Sequence, residues 1–185
     1  KCGFTSCKSG RFRKRTNWTM IHIVLYEPEI PQNTGNIMRT CVATNAKLHL
    51  IEPLGFKLDD KTIKRCGVNY INNCNYEVHP NFEDFKSKNP GTYYYFTRYG
   101  KKPHTDFAFK DKDIYLIFGK ESTGIPREIL SKDLDYCMRL PMTDKVRALN
   151  LSNCVAIAVY EVLRQNDYFD LLRTEPFKGE DYLEN

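Results

Sequence analysis

Short apolar runs alternate with helical patterns along most of this chain, and this alternation constrains the fold more than any other sequence feature. The strand-like runs lie at residues 21–26, 47–52, 76–79, 92–97, 113–119 and 136–142. Patterns typical of helices lie between them, at residues 34–46, 59–67, 81–89, from Pro126 onward and at residues 151–165. Strands that alternate with helices predict an α/β fold with a mostly parallel sheet flanked by helices.

Helix signals support this reading at two places. Apolar side chains at spacings of three and four place one face of the helix at residues 151–165 toward a core: Leu151, Val155, Val159, Val162 and Leu163. For the helix at residues 34–46, Asn33 or Thr34 is available as an N-terminal cap.

The length of 185 residues allows one well-buried core and is too short for two ordinary domains. Apolar residues make up 41% of the chain and charged residues 28%, which is a globular composition. We therefore expect a basic tail at residues 1–19, one domain at residues 20–170 and a polar carboxyl-terminal tail at residues 171–185.

Positive charge is concentrated at the start of the chain. The formal net charge is +5, from 28 basic and 23 acidic residues. Residues 1–19 contain six of the basic residues and no acidic one, so 22 basic residues face 23 acidic ones in the remainder. This tail is either a basic RNA-binding arm or sequence upstream of a natural start at Met20, and we favour the second interpretation. Any polyanion site on the domain should then be a local patch.

The seven cysteines do not form an obvious framework. Cys41, Cys137 and Cys154 lie in apolar segments, where free thiols pack as small hydrophobic side chains. The spacings of Cys2 with Cys7 and of Cys66 with Cys74 do not fit a zinc pair. We expect a reducing, cytoplasmic location and no structural metal. No apolar run approaches the roughly 18 residues of a membrane-spanning helix, so we expect a soluble protein.

Three loops that follow predicted strands are candidates for a ligand site, because ligands of open α/β sheets bind beyond the carboxyl ends of the strands. They are residues 97–105 (TRYGKKPHT), 119–126 (GKESTGIP) and 141–153 (PMTDKVRALNLSN). Gly119 and Gly124 either let backbone groups approach a ligand closely or close a tight turn before Pro126. Glu121 on this loop is either a solvated side chain or a catalytic acid, and taken alone the first is more usual.

A further candidate is the segment EPEIPQNTGNIMRT at residues 27–40. Free amides at a helix start suit phosphate or carboxylate, and the guanidinium of Arg39 suits phosphate. The alternative is that Asn33 only caps the helix and Arg39 is a solvated charge. The chain has neither a GxGxxG nor a GxxxxGK[ST] motif, which argues against an ordinary Rossmann dinucleotide site and against a P-loop.

Histidine is not expected to be catalytic. His22 and His49 lie in strand patterns and should be structural, and His79 precedes a proline turn. His104 is the one histidine on a candidate site loop.

Three extended segments resemble the motifs of the SPOUT ribose methyltransferases. These are LYEPEIPQNTGNIMRTC (25–41), LIFGKESTGIP (116–126) and LPMTDKVRALNLSNCVAIAVYE (140–161). The resemblance is greatest to the TrmL group, also called YibK or CspR, whose members are tRNA (cytidine/uridine-34)-2'-O-methyltransferases. It covers residues 20 to about 170 in one order.

The resemblance implies a SPOUT fold with a trefoil knot in its carboxyl-terminal part, S-adenosylmethionine as cofactor, tRNA as substrate, and a homodimer with the active site at the subunit interface. It implies that backbone groups of Gly119, Leu140 and Leu149 hold the cofactor, while Phe96 and Ala148 line the pocket. Asn33, Arg39 and Glu121 carry over as active-site residues. Relatives commonly have serine where this chain has Ala148, so a hydroxyl contact is lost there while backbone contacts remain.

For the mechanism, we expect Arg39 to grip phosphate and stabilise a developing alkoxide, because a guanidinium is a poor base. The proton would pass to a phosphate or to water. Candidates for RNA contact are Arg39, Lys145, Arg147 and Arg164, while Tyr93 to Tyr95 are expected to be ordinary strand residues. We expect no DNA partner. The alternatives are a 2'-O-methyltransferase of rRNA or of another tRNA position, and a non-catalytic RNA-binding factor that uses the basic tail.

Overall fold

The computed structural model describes residues 19–58, 73–178 and 180–183. Within this part of the chain, seven strands form one sheet in the order β3-β2-β1-β6-β4-β7-β5, and every pairing is parallel. The strands are β1 (Met20–Tyr26), β2 (Lys47–Ile51), β3 (Tyr76–His79), β4 (Thr92–Phe96), β5 (Lys102–Pro103), β6 (Asp113–Phe118) and β7 (Cys137–Arg139). The prediction of a mostly parallel sheet is confirmed.

Two details of the sheet differ from the sequence prediction. β7 is shorter than the predicted strand at 136–142, because a 3₁₀ turn, Leu134–Tyr136, precedes it and Pro141, which has no N–H to donate, follows it. β5 was not predicted, since a two-residue strand is too short to show alternation.

The described residues form four α-helices: α1 (Pro31–Thr44), α2 (Phe82–Lys88), α3 (Arg127–Leu130) and α4 (Leu151–Gln165). The first three connect strands, and α4 follows β7. The predicted helix at residues 59–67 lies outside the described residues. α4 has the predicted bounds, and the side chain of Asn150 caps it by accepting from the Ser152 N–H.

The predicted cap of α1 is wrong. The helix begins at Pro31, three residues before the predicted start, and Ile30 stands at the cap position without a side-chain bond. Proline suits the first helical position because its φ is already near the helical value and it has no N–H to satisfy. Asn33 and Thr34 are therefore inside the first turn, and the side chain of Asn33 is available for another role.

Helices cover both faces of the sheet. On one face, residues of α1 and α4 such as Ile37, Met38, Val155 and Val159 pack on apolar strand residues. The opposite face buries Phe82 and Phe85 of α2 and Leu130 of α3 against a second set: Val24, Ile51, Tyr95, Tyr115 and Ile117. A parallel sheet needs this double cover because its strands are apolar on both sides.

The connection between β4 and β5 crosses β7. Phe96 at the end of β4 and Lys102 at the start of β5 both pair with Met138, from opposite sides of β7. The five residues between them therefore pass across that strand. The crossing is close, since a Cβ added to Gly100 would lie 2.4 Å from the carbonyl carbon of Met138. Glycine is required at this position for steric reasons.

His22 and His49 have structural contacts inside the sheet region, as expected from their strand positions. The rings of His22, His49 and His79 form a hydrogen-bonded chain across three strands, with nitrogen distances of 2.9 and 3.0 Å. The hydroxyls of Tyr94 and Tyr95 donate to Asp111 at 2.7 Å and to Asp133 at 2.8 Å. These tyrosines are strand residues and not stacking platforms.

Candidate active site at the carboxyl ends of the strands

Three polar loops meet at one edge of the sheet. β1, β6, β4 and β7 are neighbours in that order, so their parallel orientation brings their carboxyl ends together. From β1 the chain enters residues 27–30 and then α1. The glycine loop, residues 119–126, follows β6, and residues 140–150 lead from β7 to α4.

The predicted cofactor-binding positions lie around this edge. Phe96 pairs with Phe118 on one side and with Met138 on the other, which places it between Gly119 and Leu140. The Phe96 ring is almost wholly buried and stacks on Phe118, with ring centroids 4.9 Å apart. Leu140 is also buried. Ala148 and Leu149, by contrast, are exposed on the loop before α4.

The glycine loop is closed by its own backbone. The N–H of Gly124 donates to the carbonyl of Lys120 at 2.9 Å, and Gly124 has a positive φ of 78°. A Cβ at Gly119 would lie 2.1 Å from the carbonyl carbon of Gly124, so position 119 must be glycine. The loop is thus a tight turn, and at Gly119 it presents backbone without any side chain.

A chain of hydrogen bonds links the three loops. The Asn33 amide donates to the carboxylate of Glu121 at 2.8 Å, while its Oδ1 accepts from the Asn150 amide at 2.9 Å. Asn150 Oδ1 in turn accepts from the hydroxyl of Ser152 at 2.7 Å. Asn33 belongs to the first of the three motif segments (25–41) and Glu121 to the second (116–126). Asn150 and Ser152 both belong to the third (140–161).

Glu121 is held in place rather than solvated. Its carboxylate also accepts from the N–H of Glu29 at 2.9 Å and from the N–H of Ile30 at 3.3 Å. These amides precede α1, where the helix dipole favours negative charge. The simple prediction of a solvated Glu121 is therefore wrong, because the start of α1 lacks a side-chain cap of its own and Glu121 supplies the acceptor.

Two more acidic residues join the β1 loop to the glycine loop. Glu27 accepts from Lys120 Nζ at 2.6 Å, and Glu29 accepts from the N–H and the hydroxyl of Ser122 at 2.8 and 2.7 Å. Burial alone would raise the pKa of Glu27, but bonds from Lys120 and Tyr26 outweigh it and lower the pKa. The bonds from Ser122 lower the pKa of Glu29. Both carboxylates are therefore ionised acceptors and poor candidates for a general base.

Arg39 lies on another side of α1 from Asn33. It is exposed on α1 and lies six positions after Asn33, which corresponds to roughly 240° of rotation around the helix. The two side chains thus leave the helix in different directions. Among the other predicted RNA contacts, Lys145 and Arg147 are exposed, but Arg164 is bound by both carboxylate oxygens of Glu161 at 2.8 and 2.9 Å.

Sequence reasoning missed five residues of this site. Glu27, Glu29, Lys120 and Ser122 join the first two loops, and Asn150 joins the third. Asn150 stands directly before the predicted helix at 151–165, where an asparagine is a normal cap, and that signal was available. The pairing of the acidic residues with the glycine loop was not, since it spans more than 90 positions.

Other features lie away from this edge. One cavity of about 660 Å³ is lined by residues that follow β2 and β3, including Pro53 and Pro80. A second, of about 680 Å³, lies between the end of α1 and α4, beside Tyr160 and Leu172. One group among the described residues has the composition of a metal site, namely His49, Glu77 and His79 on β2 and β3.

The fold defines the class of this protein: it is a parallel α/β protein whose candidate ligand site lies where polar loops meet beyond the strand ends. Residues 20–160 match the SpoU rRNA Methylase family, and the chain belongs to that family. Among the described residues, no helix combines the length and the apolar character that crossing a bilayer requires.

Relatives with assigned names extend the match over nearly their whole length. A tRNA (cytidine(34)-2'-O)-methyltransferase of Methylovorus glucosotrophus is 44% identical over 151 residues, which is 80% of this chain and 97% of that protein. A protein of Bacillus subtilis with a provisional assignment of the same name is 49% identical over 158 residues, 84% of this chain and 99% of that protein.

Solved structures agree in fold. A structure described in connection with 2-OH methylation of C/U34 on tRNA has a TM-score of 0.74 and 39% sequence identity. The match covers 80% of this chain and 97% of the chain in that structure. The SpoU methyltransferase AviRb of Streptomyces viridochromogenes, solved with AdoMet, has a TM-score of 0.69 at 21% identity and covers 85% of this chain and 61% of its own. At that identity the likeness concerns the fold.

Proposed function

We propose that this protein transfers a methyl group from S-adenosylmethionine to the ribose 2'-hydroxyl of the wobble nucleotide, cytidine or uridine 34, of tRNA. The observation that carries the proposal is the hydrogen-bonded meeting of the three motif loops through Glu121, Asn33 and Asn150. It is supported by relatives that are named for this activity and that match this chain over almost their own whole length. The catalytic unit is a single domain at residues 20–170, acting in the cytoplasm.

The edge of the sheet fits an adenosine group. A nucleobase needs apolar surface for its faces and backbone groups for its edge. The mostly buried apolar residues Leu140 and Phe96 lie at this edge, and Gly119, which follows the neighbouring strand β6, has no side chain. We propose that backbone groups of Gly119, Leu140 and Leu149 hold the cofactor, with Phe96 and Ala148 lining its pocket.

When bound, S-adenosylmethionine supplies a sulfonium methyl group and its own leaving group. The chain must then align the ribose 2'-oxygen and stabilise the charge that develops on it, and alignment alone lowers a barrier by several kcal/mol. We propose that Asn33 and Glu121 hold the loop geometry and that Arg39 grips phosphate and stabilises the developing alkoxide. The 2'-proton passes to a phosphate or to water.

We propose a homodimer with the active site at the subunit interface, because the side chain of Arg39 leaves α1 away from Asn33 within one chain. The exposed face of α4 supports it, since Ile157 and Tyr160 are 42% and 50% exposed and lie three positions apart on one side of that helix. Apolar side chains in such a stripe are typical of a surface that packs on another subunit. Light scattering should give twice the chain mass, and Tyr160→Glu should shift the protein toward the monomer.

A trefoil knot in the carboxyl-terminal part is the finer proposal about the fold. Its support is the connection at residues 97–101, which passes across β7 between two strands that both pair with Met138. The chain from β7 onward would then pass through that connection before α4. A crystal structure whose backbone is unknotted would contradict this proposal.

Two experiments separate the proposal from its alternatives. Incubation with labelled S-adenosylmethionine and either total tRNA or rRNA, followed by mapping of the methylated nucleotide, should place the label at position 34 of tRNA. Label in rRNA, or at another tRNA position, would support the first alternative. Removal of residues 1–19 should leave methyl transfer intact, whereas a tail-driven binding factor should lose affinity and salt dependence.

A further inference from the structure

The β1 loop and the glycine loop exchange contacts through two carboxylates. The N–H of Glu29 donates to Glu121, and the N–H of Ser122, the residue after Glu121, donates back to the carboxylate of Glu29. The Ser122 hydroxyl adds a third bond at 2.7 Å. Each loop therefore supplies one backbone donor and one carboxylate acceptor. We name this reciprocal set of bonds, formed by Glu29, Glu121 and Ser122, the loop clamp.

A neighbouring ion pair holds the same two loops. Lys120 of the glycine loop binds Glu27, whose φ of 47° is unusual for a residue other than glycine. Such a conformation persists only where the surroundings fix it, and residues of this kind cluster at functional sites. The strained turn and the loop clamp together bring residues 27–30 against residues 120–122.

We propose that Glu29 is a positioning residue for methyl transfer, acting through the loop clamp. The inference rests on the proposed function, in which the glycine loop carries the methyl donor and α1 carries Asn33 and Arg39. The clamp helps to set the separation of these two parts, together with the Asn33–Glu121 bond and the Lys120–Glu27 ion pair. In this role Glu29 contacts neither S-adenosylmethionine nor tRNA.

The geometry predicts an effect on turnover more than on cofactor binding. Gly119 directly follows β6, and the glycine loop is closed by its own bond from Gly124 to Lys120. Loss of the clamp should therefore leave the donor pocket formed. The distance from that pocket to the start of α1 should then be held less firmly. A misplacement of about 1 Å can cost on the order of a hundredfold in rate.

Stability should change little, because Ser122 is exposed and Glu29 is half-exposed. Water competes for hydrogen bonds at such positions. A merely structural role for Glu29 would show as lost stability with rate and binding falling together. A positioning role shows as lost turnover in a protein of normal stability.

The test compares Glu29→Ala with Glu29→Gln. Glutamine keeps a carbonyl oxygen for the Ser122 N–H, and its amide donates to the Ser122 hydroxyl, which also accepts. We expect Glu29→Ala to lower kcat on tRNA about tenfold or more, with the Kd for S-adenosylmethionine within about threefold of wild type, and Glu29→Gln to restore kcat. Glu83→Ala, an exposed glutamate on α2, is the matched control.

Three results would each overturn the inference. Glu29→Ala could keep the wild-type kcat, Glu29→Gln could lose as much kcat as Glu29→Ala, or cofactor affinity could fall in parallel with kcat. Failure of the proposed function is distinguishable, since it appears as no methyl transfer to tRNA by the wild-type protein. In that case the hydrogen-exchange rate of the Ser122 amide still measures whether the loop clamp forms. Exchange that is faster in Glu29→Ala but not in Glu29→Gln would establish the clamp, and unchanged exchange would refute it.

Discussion

The side-chain amide of Asn33 donates a 2.8 Å hydrogen bond to the carboxylate of Glu121, although the two residues are 88 positions apart in the chain. This bond joins the first turn of α1 to the glycine loop after β6. Because β1 and β6 are neighbouring parallel strands, the loops that follow them start side by side. The bond fixes one arrangement of the two loops.

Replacement of Glu121 by glutamine should impair methyl transfer without unfolding the protein. The carboxylate accepts from three donors, the amides of Glu29 and Ile30 and the Asn33 side chain. A glutamine turns its NH₂ group toward at least one of them, which leaves that donor unpaired. We expect the single-turnover rate to fall about tenfold to a hundredfold. Glu83→Gln on α2, which bonds none of these donors, should keep the wild-type rate.

Replacement of Arg39 by lysine tests the proposed role of the guanidinium. Lysine keeps the charge but loses the planar fork that grips phosphate through two bonds. We expect most of the cofactor affinity to remain and most of the methyl transfer to be lost, measured by calorimetric titration and by labelled methyl incorporation into tRNA. Unimpaired turnover would remove Arg39 from the mechanism.

The two glycines of the glycine loop should respond differently to alanine. At Gly119 an added Cβ meets the backbone of Gly124 at 2.1 Å, so Gly119→Ala must distort the loop and should weaken S-adenosylmethionine binding at least about tenfold. At Gly124 there is open space but a φ of +78°, so Gly124→Ala should mainly cost about 1 kcal/mol of stability. Equal effects of the two substitutions on cofactor binding would contradict this assignment.

Stability should fall in mild acid because two buried histidines resist protonation. Burial lowers the pKa of His49 from 6.5 to about 2, and it lowers the pKa of His22 even though Asp113 opposes the shift. The unfolded chain takes up these protons near pH 6.5, whereas the folded chain takes them up only at lower pH. Below that pH the free energy of unfolding should therefore decrease, by up to about 1.4 kcal/mol per pH unit for each histidine.

Urea unfolding at about pH 7 and about pH 5.5, at one protein concentration, measures this dependence. The interval lies above the range in which most carboxylates titrate. His49→Gln, which cannot titrate, should show a smaller loss between the two pH values. Equal stability of the wild-type protein at both would show that the histidine chain takes up protons in the folded state.

The sequence was sufficient for the parallel character of the sheet and for the helix α4, because both depend on local apolar patterns. Val155 and Val159 repeat at helical spacing, and residues 114–118 form an uninterrupted apolar strand pattern next to glycine. The start of α1 was missed since proline at the first position removes the need for the cap that Asn33 suggested. The pairing of Glu29 with Ser122 was out of reach, because it depends on which strands become neighbours.

The central claim is that the 2'-hydroxyl of nucleotide 34 accepts the methyl group, and a single-atom change in the substrate tests it most directly. A tRNA with a 2'-deoxy nucleotide at position 34 should accept no label from S-adenosylmethionine, while the same tRNA with the deoxy nucleotide at position 32 should be labelled as the unmodified tRNA is. Equal labelling of both deoxy substrates would contradict the account.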